Sequence, residues 1–137
     1  MFSIGDMAKR SGVKVPTIRY YEQMGLLDAP DRSQGNQRRY EKAELERLVF
    51  IRHARDLGIT IDAIRELLDL SGHPEKPCAG ADRIAADHLR SVREKIAQLQ
   101  KLESELARIA THCDGSSVRD CYVIRALGHH ELCEGEH

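Results

Sequence analysis

Residues 79 to 111 contain no proline, their one glycine is Gly80, and apolar residues recur at Leu89, Val92, Ile96, Leu99, Leu102, Leu106 and Ile109. Steps of three and four, with one irregularity where two steps of three adjoin, make a coiled-coil seam along one continuous helix. At 1.5 Å per residue that helix is about 50 Å long. The whole chain has 137 residues, one domain's worth by length. The rest of so small a chain cannot cover a stripe of that length. The seam calls for a partner helix, and the simplest partner is a second copy of the chain, parallel or antiparallel to the first.

The composition suits a helical protein. Charged residues make up 31%, hydrophobic residues 41% and aromatics 4%, with no Trp. Abundant Glu, Lys, Arg, Leu and Ala favour helix over sheet. No apolar run approaches the ~18 residues of a membrane span. The start, MFSIGDMAKRSG, carries no apolar signal core, so the expected location is the cytoplasm. Four Cys are too few for a disulfide-built fold, and a reducing compartment keeps them as thiols. Metal binding and redox sensing are then the roles open to them. No Ser/His/Asp set, phosphate-binding glycine loop or paired-carboxylate signature is present, so an enzyme is not expected.

Charge is distributed unevenly. Residues 9–55 hold eleven Lys/Arg against six Asp/Glu, a local net of +5, whereas residues 71–137 hold nine against eleven, a net of −2. A basic front half on a chain of net charge −1 suggests a polyanion partner for that half, although a solvated charged surface would look the same.

The order of elements distinguishes these readings. Ser3 is a good N-cap with Asp6 in the capping-box position, and Gly12 stops the helix that follows. Pro16 suits the first turn of a second helix, TIRYYEQMG, which Gly25 ends. Two short helices joined by a tight glycine-containing turn form a helix-turn-helix, whose second helix enters the major groove. That helix would present Thr17, Arg19 and Tyr20, and the Arg19 fork can donate to a guanine edge or a phosphate. Of the adjacent Tyr20 and Tyr21, one is expected in the core, because neighbouring helix positions point apart. The segment LLDAPDRSQGNQRRY follows, its turn formers flanked by Arg32, Arg38, Arg39 and Tyr40. A hairpin tip with arginines on either side makes a wing that lies on the phosphate backbone. Residues 41–57 return to helical period and add Arg52, His53 and Arg55, and Gly58 caps their end. Thr60 caps a fourth helix whose stripe is Ile61, Ile64, Leu67 and Leu68, and SGHPEKP breaks it from the long helix.

The thiols cluster at the ends of the long helix. Cys78 stands just before it, Cys113 just after it, and Cys121 beyond a polar loop, ahead of a short apolar helix, YVIRAL, that reads as a lid. Two thiols bracketing a loop can turn onto one ion, with Zn–S bonds of about 2.3 Å. Cys78 is too far along the helix to join them within one chain. In an antiparallel dimer, however, the partner's copy of that thiol lies beside them. Three thiolates select a soft or borderline ion over Mg or Ca, and His112 is a candidate fourth ligand. Against this, a lone Cys is often a small buried hydrophobe, and His112 equally suits a solvated C-terminal cap. The tail's His129, His130, Cys133 and His137 read either as a second metal-holding tract or as a polar tail.

The segment IGDMAKRSGVKVPTIRYYEQMGLL, the wing RSQGNQRRY and the stretch LERLVFIRHARDLGITIDAIRELLDL resemble the MerR family of transcriptional regulators, and the likeness runs over nearly the whole chain. The resemblance implies a mainly α fold: a winged helix-turn-helix DNA-binding domain, a long antiparallel coiled-coil dimerisation helix, and a short C-terminal metal-binding loop and helix. The corresponding divisions are 1–70, a hinge at 71–78, the dimerisation helix at 79–111, the loop and short helix at 112–128, and the tail at 129–137. It further implies a homodimer on a palindromic promoter, repressing without effector and, with effector, distorting the DNA so that RNA polymerase can use it. By motif, Arg19 and Tyr20 resemble recognition-helix contacts, Arg38, Arg39 and Tyr40 the wing, and Arg52 a backbone contact. Seven residues separate Cys113 from Cys121, a gap shared with copper(I) sensors of the family. Those sensors usually have Ser where this chain has Cys78, whereas a Cys there resembles sensors of zinc, cadmium, lead or mercury. A divalent ion is also better balanced by a third thiolate. The expected effector is thus a divalent soft metal (Zn, Cd, Pb or Hg) on Cys78, Cys113 and Cys121. A Cu(I), silver or gold sensor using Cys113 and Cys121 alone, or a thiol-redox regulator, are the alternatives.

Overall fold

The computed structural model describes residues 1–28, 39–111 and 117–129. Among these residues the α-helices are, in order, α1 Ile4–Ser11, α2 Val15–Gln23, α3 Lys42–Asp56, α4 Ile61–Ser71, α5 Ala79–Thr111 and α6 Tyr122–Gly128, with a 3₁₀ turn at Val118–Asp120 ahead of the last. Among the described residues there is no strand. Instead one isolated antiparallel bridge forms among them, in which Phe2 and Tyr40 exchange N–H···O bonds of 2.8 Å. Among these residues no helix is long and apolar enough to cross a membrane. The expected wing turn, with Arg32 and Arg38, lies outside the described residues, as do His112, Cys113, His130, Cys133 and His137.

The chain divides into two compact units, Met1–Ile84 and Ala85–His137. In the first, local chemistry sets the helix boundaries. The Ser3 hydroxyl accepts from the Asp6 N–H, and the Asp6 carboxylate accepts from the Ser3 N–H in return. This reciprocal cap satisfies two N–H groups that would otherwise lack helical partners. It also holds the Asp6 carboxyl below its ordinary pKa, chiefly through the bond from the Ser3 backbone. Gly12 ends α1 in the left-handed region at φ 75°, a conformation that costs a residue with a Cβ about 1–2 kcal/mol. Thr60 caps α4 by accepting from the Ala63 N–H.

The core of this unit gathers Met7 from α1, Ile18 and Tyr21 from α2, Leu26 and Leu27 after it, Leu48 and Ile51 from α3, and Ile64 and Leu68 from α4. Of the four stripe residues expected on α4, Ile64 and Leu68 are buried and Ile61 and Leu67 half-buried. Tyr21 goes inward and Tyr20 outward, as their adjacent positions on one helix require. The most extensive packing is of α2 on α1, α1 on α3 and α3 on α4.

The second unit holds most of α5, with α6. Ile109 and Ala126 are buried, and Arg108 joins the two helices. Its guanidinium donates to Glu105 Oε2 at 2.9 Å and to the Tyr122 hydroxyl, with the cation 5.8 Å above the Tyr122 ring. The bond to Glu105 is the main reason that its pKa is raised. Along α5 the seam stays largely uncovered: Leu89 and Ile96 are each 48% exposed, Leu99 and Leu106 each 63%.

Candidate functional site

Helix α2 presents one clear outward face. Pro16, Arg19, Tyr20 and Gln23 are all exposed, at the i, i+3, i+4, i+7 spacing that aligns residues on one side of a helix. Thr17 is half-buried beside that face. Sequence reasoning found Arg19 and Tyr20 but passed over Pro16 and Gln23, which the same spacing would have supplied. Exposed Lys9, Arg10 and Lys14 surround the α1–α2 turn, and the Arg10 guanidinium lies 4.8 Å from the Phe2 ring centroid. A helix N-terminus bordered by cations, with a guanidinium and a phenol on its open face, is suited to phosphate and base-edge contacts.

Two expected DNA contacts have different surroundings from those the sequence suggested. Tyr40 has no exposed surface, and its hydroxyl donates to the Glu22 carboxylate. It therefore anchors the end of α2 to the strand-like bridge at Phe2, and its burial leaves no surface for a phosphate. Arg39, one position earlier, is half-buried. Arg52 keeps a side chain 45% exposed, yet its Nη1 donates to the Ser11 carbonyl at 2.6 Å, and its Nε stands 3.6 Å from Asp56. The guanidinium lies directly over Gly12, where a Cβ would come within 1.9 Å of Nη1. Gly12 thus serves both the left-handed turn and the close passage of Arg52. Two further arginines hold carbonyls at the end of the recognition helix: Arg47 Nε donates to Leu26 O, and Arg65 Nη2 to Met24 O, each at 2.6 Å. Part of the front half's positive charge therefore ties helices together.

Two of the thiols lie among the described residues. Cys78 is exposed just ahead of α5, and its S–H donates to Asp82 Oδ2 at 3.7 Å. It borders a mostly apolar cleft of about 340 Å³ lined by Phe50, Leu67, Leu70, Pro77 and Ala81, among others. Cys121 is half-buried and stands at the N-cap of α6, its N–H bonded to Val118 O at 3.1 Å. Exposed His129 caps the other end of that helix. Among the described residues no three His, Cys, Asp or Glu side chains converge as a metal shell.

The helix-turn-helix, its exposed α2 face and the long apolar-striped helix fit a DNA-binding regulator. The family model for the MerR helix-turn-helix regulatory proteins matches residues 2–71, and the MerR DNA-binding model matches residues 45–109. The chain belongs to the MerR family of transcriptional regulators. It is 38% identical over 130 residues to the transcriptional regulator ZntR of Escherichia coli K12, covering 93% of this chain and 92% of ZntR. It is 40% identical over 111 residues to the mercuric resistance operon regulatory protein of Shigella flexneri, covering 81% and 76%. The crystal structure of the regulator PbrR691 from Ralstonia metallidurans CH34 in complex with lead(II) is similar with a TM-score of 0.81 and 39% identity, over 93% of this chain and 99% of that one.

Proposed function

We propose that this chain is a homodimeric, metal-responsive transcriptional regulator whose effector is a divalent soft metal ion bound by Cys78 of one subunit together with Cys113 and Cys121 of the other. The likeness to a lead-bound regulator over nearly the full length of both chains carries this reading. The donor chemistry fits: thiolates suit zinc, cadmium, lead and mercury alike, and His112 is the nearest further donor in sequence to Cys113. Cys78 is open to solvent with a carboxylate beside it, an exposure that suits a ligand better than a packing residue. The uncovered α5 stripe supplies the reason for a second copy.

On DNA, the reading gives Thr17, Arg19 and Tyr20 to the major groove, and Arg38, Arg39 and Arg52 to phosphates. Tyr40 and Glu22 keep α2 in place. A bound divalent cation supplies positive charge that holds thiolates from distant parts of the chain together. The regulator represses its promoter without metal and activates it with metal by distorting the DNA. This requires the ion to bind the activating conformation more tightly than the repressing one. Its place of work is the cytoplasm, beside promoter DNA.

Titration of the Cys78→Ser protein on a palindromic promoter fragment tests the assignment. The expected result is loss of the response to every divalent ion, with metal-free operator binding retained. An unchanged response to divalent ions overturns the three-thiolate site, and a surviving response to Cu(I) alone transfers the role to Cys113 and Cys121. Sensing that persists with all metal chelated away makes the pair a redox switch.

A further inference from the structure

Helix α4 has two opposed functions on its surface. Leu67 and Leu70 line the apolar cleft that Cys78 borders. Arg65 reaches the other way and donates from Nη2 to the carbonyl of Met24 at 2.6 Å, the residue that caps the recognition helix. At about 100° per residue, positions two and five beyond Arg65 lie roughly 200° and 140° round the helix, nearly opposite it. The third face carries Ile64 and Leu68 into the core.

This bond bypasses the packing order. Among the more extensive helix contacts α2 rests on α1, α1 on α3 and α3 on α4, with no α2–α4 pair among them. Arg65 joins the first of these helices to the last directly across 41 positions of sequence. The acceptor is well chosen, since carbonyls at a helix C-terminus carry partial negative charge and lack helical N–H partners. Asp62, one turn back on α4, accepts from Arg65 Nη1 at 3.0 Å and steadies the fork. Arg47 bonds the carbonyl of Leu26 from α3, so the end of α2 is gripped from two helices, of which α4 supplies Leu67, Leu70 and Ser71 to the wall of the Cys78 cleft. Phe50 of α3 lines that cleft too, but Arg47 and Phe50 lie one turn apart on the same side of their helix.

We propose that Arg65 is a positioning residue that transmits the state of the Cys78 cleft to the recognition helix, with α4 as the rigid link. The proposal rests on the metal-sensing reading for its physiological trigger, but the mechanical coupling stands without it. Anything that fills or reshapes the cleft pushes on Leu67 and Leu70, and the same rigid-body movement carries Arg65 and draws the end of α2 with it.

A double-mutant cycle on the full-length dimer, read as operator affinity by fluorescence anisotropy without metal, tests the coupling. Ala81→Leu crowds the cleft, and Arg65→Met removes the fork while keeping its aliphatic stem. The expected result is that Ala81→Leu changes operator affinity by about fivefold when Arg65 is present and by less than about twofold in the Arg65→Met background. Arg65→Lys, with the charge and one donor restored, should recover at least about half of the coupling. Lost charge alone lowers affinity equally in both halves of the cycle, so it cancels. Equal effects of Ala81→Leu in the two backgrounds overturn the proposal, and so does an Ala81→Leu protein that binds like the parent. In the metal arm, Arg65→Met should bind lead(II) as the parent does while its metal-dependent transcription falls by about tenfold or more. Undiminished activation overturns the relay. Failure of the parent itself to bind zinc, cadmium, lead(II) or mercury overturns the metal reading instead, and the cycle then still decides the coupling.

Discussion

In Met1–Ile84 most of the large apolar side chains are buried or half-buried; in Ala85–His137 most of those on the long helix are exposed. Met7, Ile18, Leu26, Leu48, Ile51 and Ile64 have no exposed surface, whereas Leu99 and Leu106 keep 63% of theirs. The first unit wraps short helices at several angles around one centre, so each can bury a stripe against the others. The second unit is built on a single helix of about 50 Å, and among its described residues only the seven-residue α6 stands beside it. Size and shape therefore decide which hydrophobic residues serve the fold of one chain and which are left for association. The same division separates the chemistry. On the proposed reading, contacts to nucleic acid belong to the unit that closes its own core, and assembly to the unit that cannot.

The most direct way to break this comparison is to charge the open stripe. The double variant Leu99→Glu, Leu106→Glu should weaken self-association by at least about a hundredfold, because a twofold axis counts each lost apolar contact twice and burying a Leu contributes about 1.5–3 kcal/mol. Sedimentation equilibrium reads the result, and a variant as dimeric as its parent would show that the stripe is not the interface. Truncation in the closed core should act differently. Ile64→Ala is expected to cost about 2–5 kcal/mol of unfolding free energy, seen as an earlier urea midpoint, with the dimer constant of the folded protein little changed. A smaller effect sharpens the picture of the turn between α1 and α2. Gly12→Ala should destabilise by about 1–2 kcal/mol from its left-handed backbone alone, and operator affinity should fall as well because Arg52 has to leave its place over the turn.

The smallest expected effect is that of pH on the cap of α1. Asp6 has a folded-state pKa lowered from 3.8, so the unfolded chain takes up its proton first as pH falls. Its contribution is complete above the unfolded value and disappears as pH drops through the lower folded one. Stability curves of the parent and Asp6→Asn should accordingly run parallel at neutral pH and converge in that acid window. Curves that stay equally separated down to strong acid would remove the capping box as the cause.

The readability of the site differed from residue to residue. Arg19 and Tyr20 could be found because a helix of known phase turns them outward together with its other exposed positions. Tyr40 could not. Beside Arg38 and Arg39 it looks like part of a basic, phosphate-facing edge, but a phenol is large and apolar apart from its hydroxyl, and Glu22 satisfies that hydroxyl inside the fold. The arginines were equally opaque, since a long flexible cation reads the same in sequence whether it faces a phosphate or a carbonyl.

What the sequence settled by itself was local: where helices begin at Ser3 and Thr60, where α1 ends at Gly12, and that residues 79–111 run on as one helix. Those outcomes depend on hydrogen bonds and backbone angles within a few positions of one another, which the order of residues specifies directly. Only the tertiary structure decided that Arg47, Arg52 and Arg65 would hold Leu26, Ser11 and Met24. Their partners lie 21 or 41 positions away, and no local pattern encodes a bond that exists only after the helices between have packed.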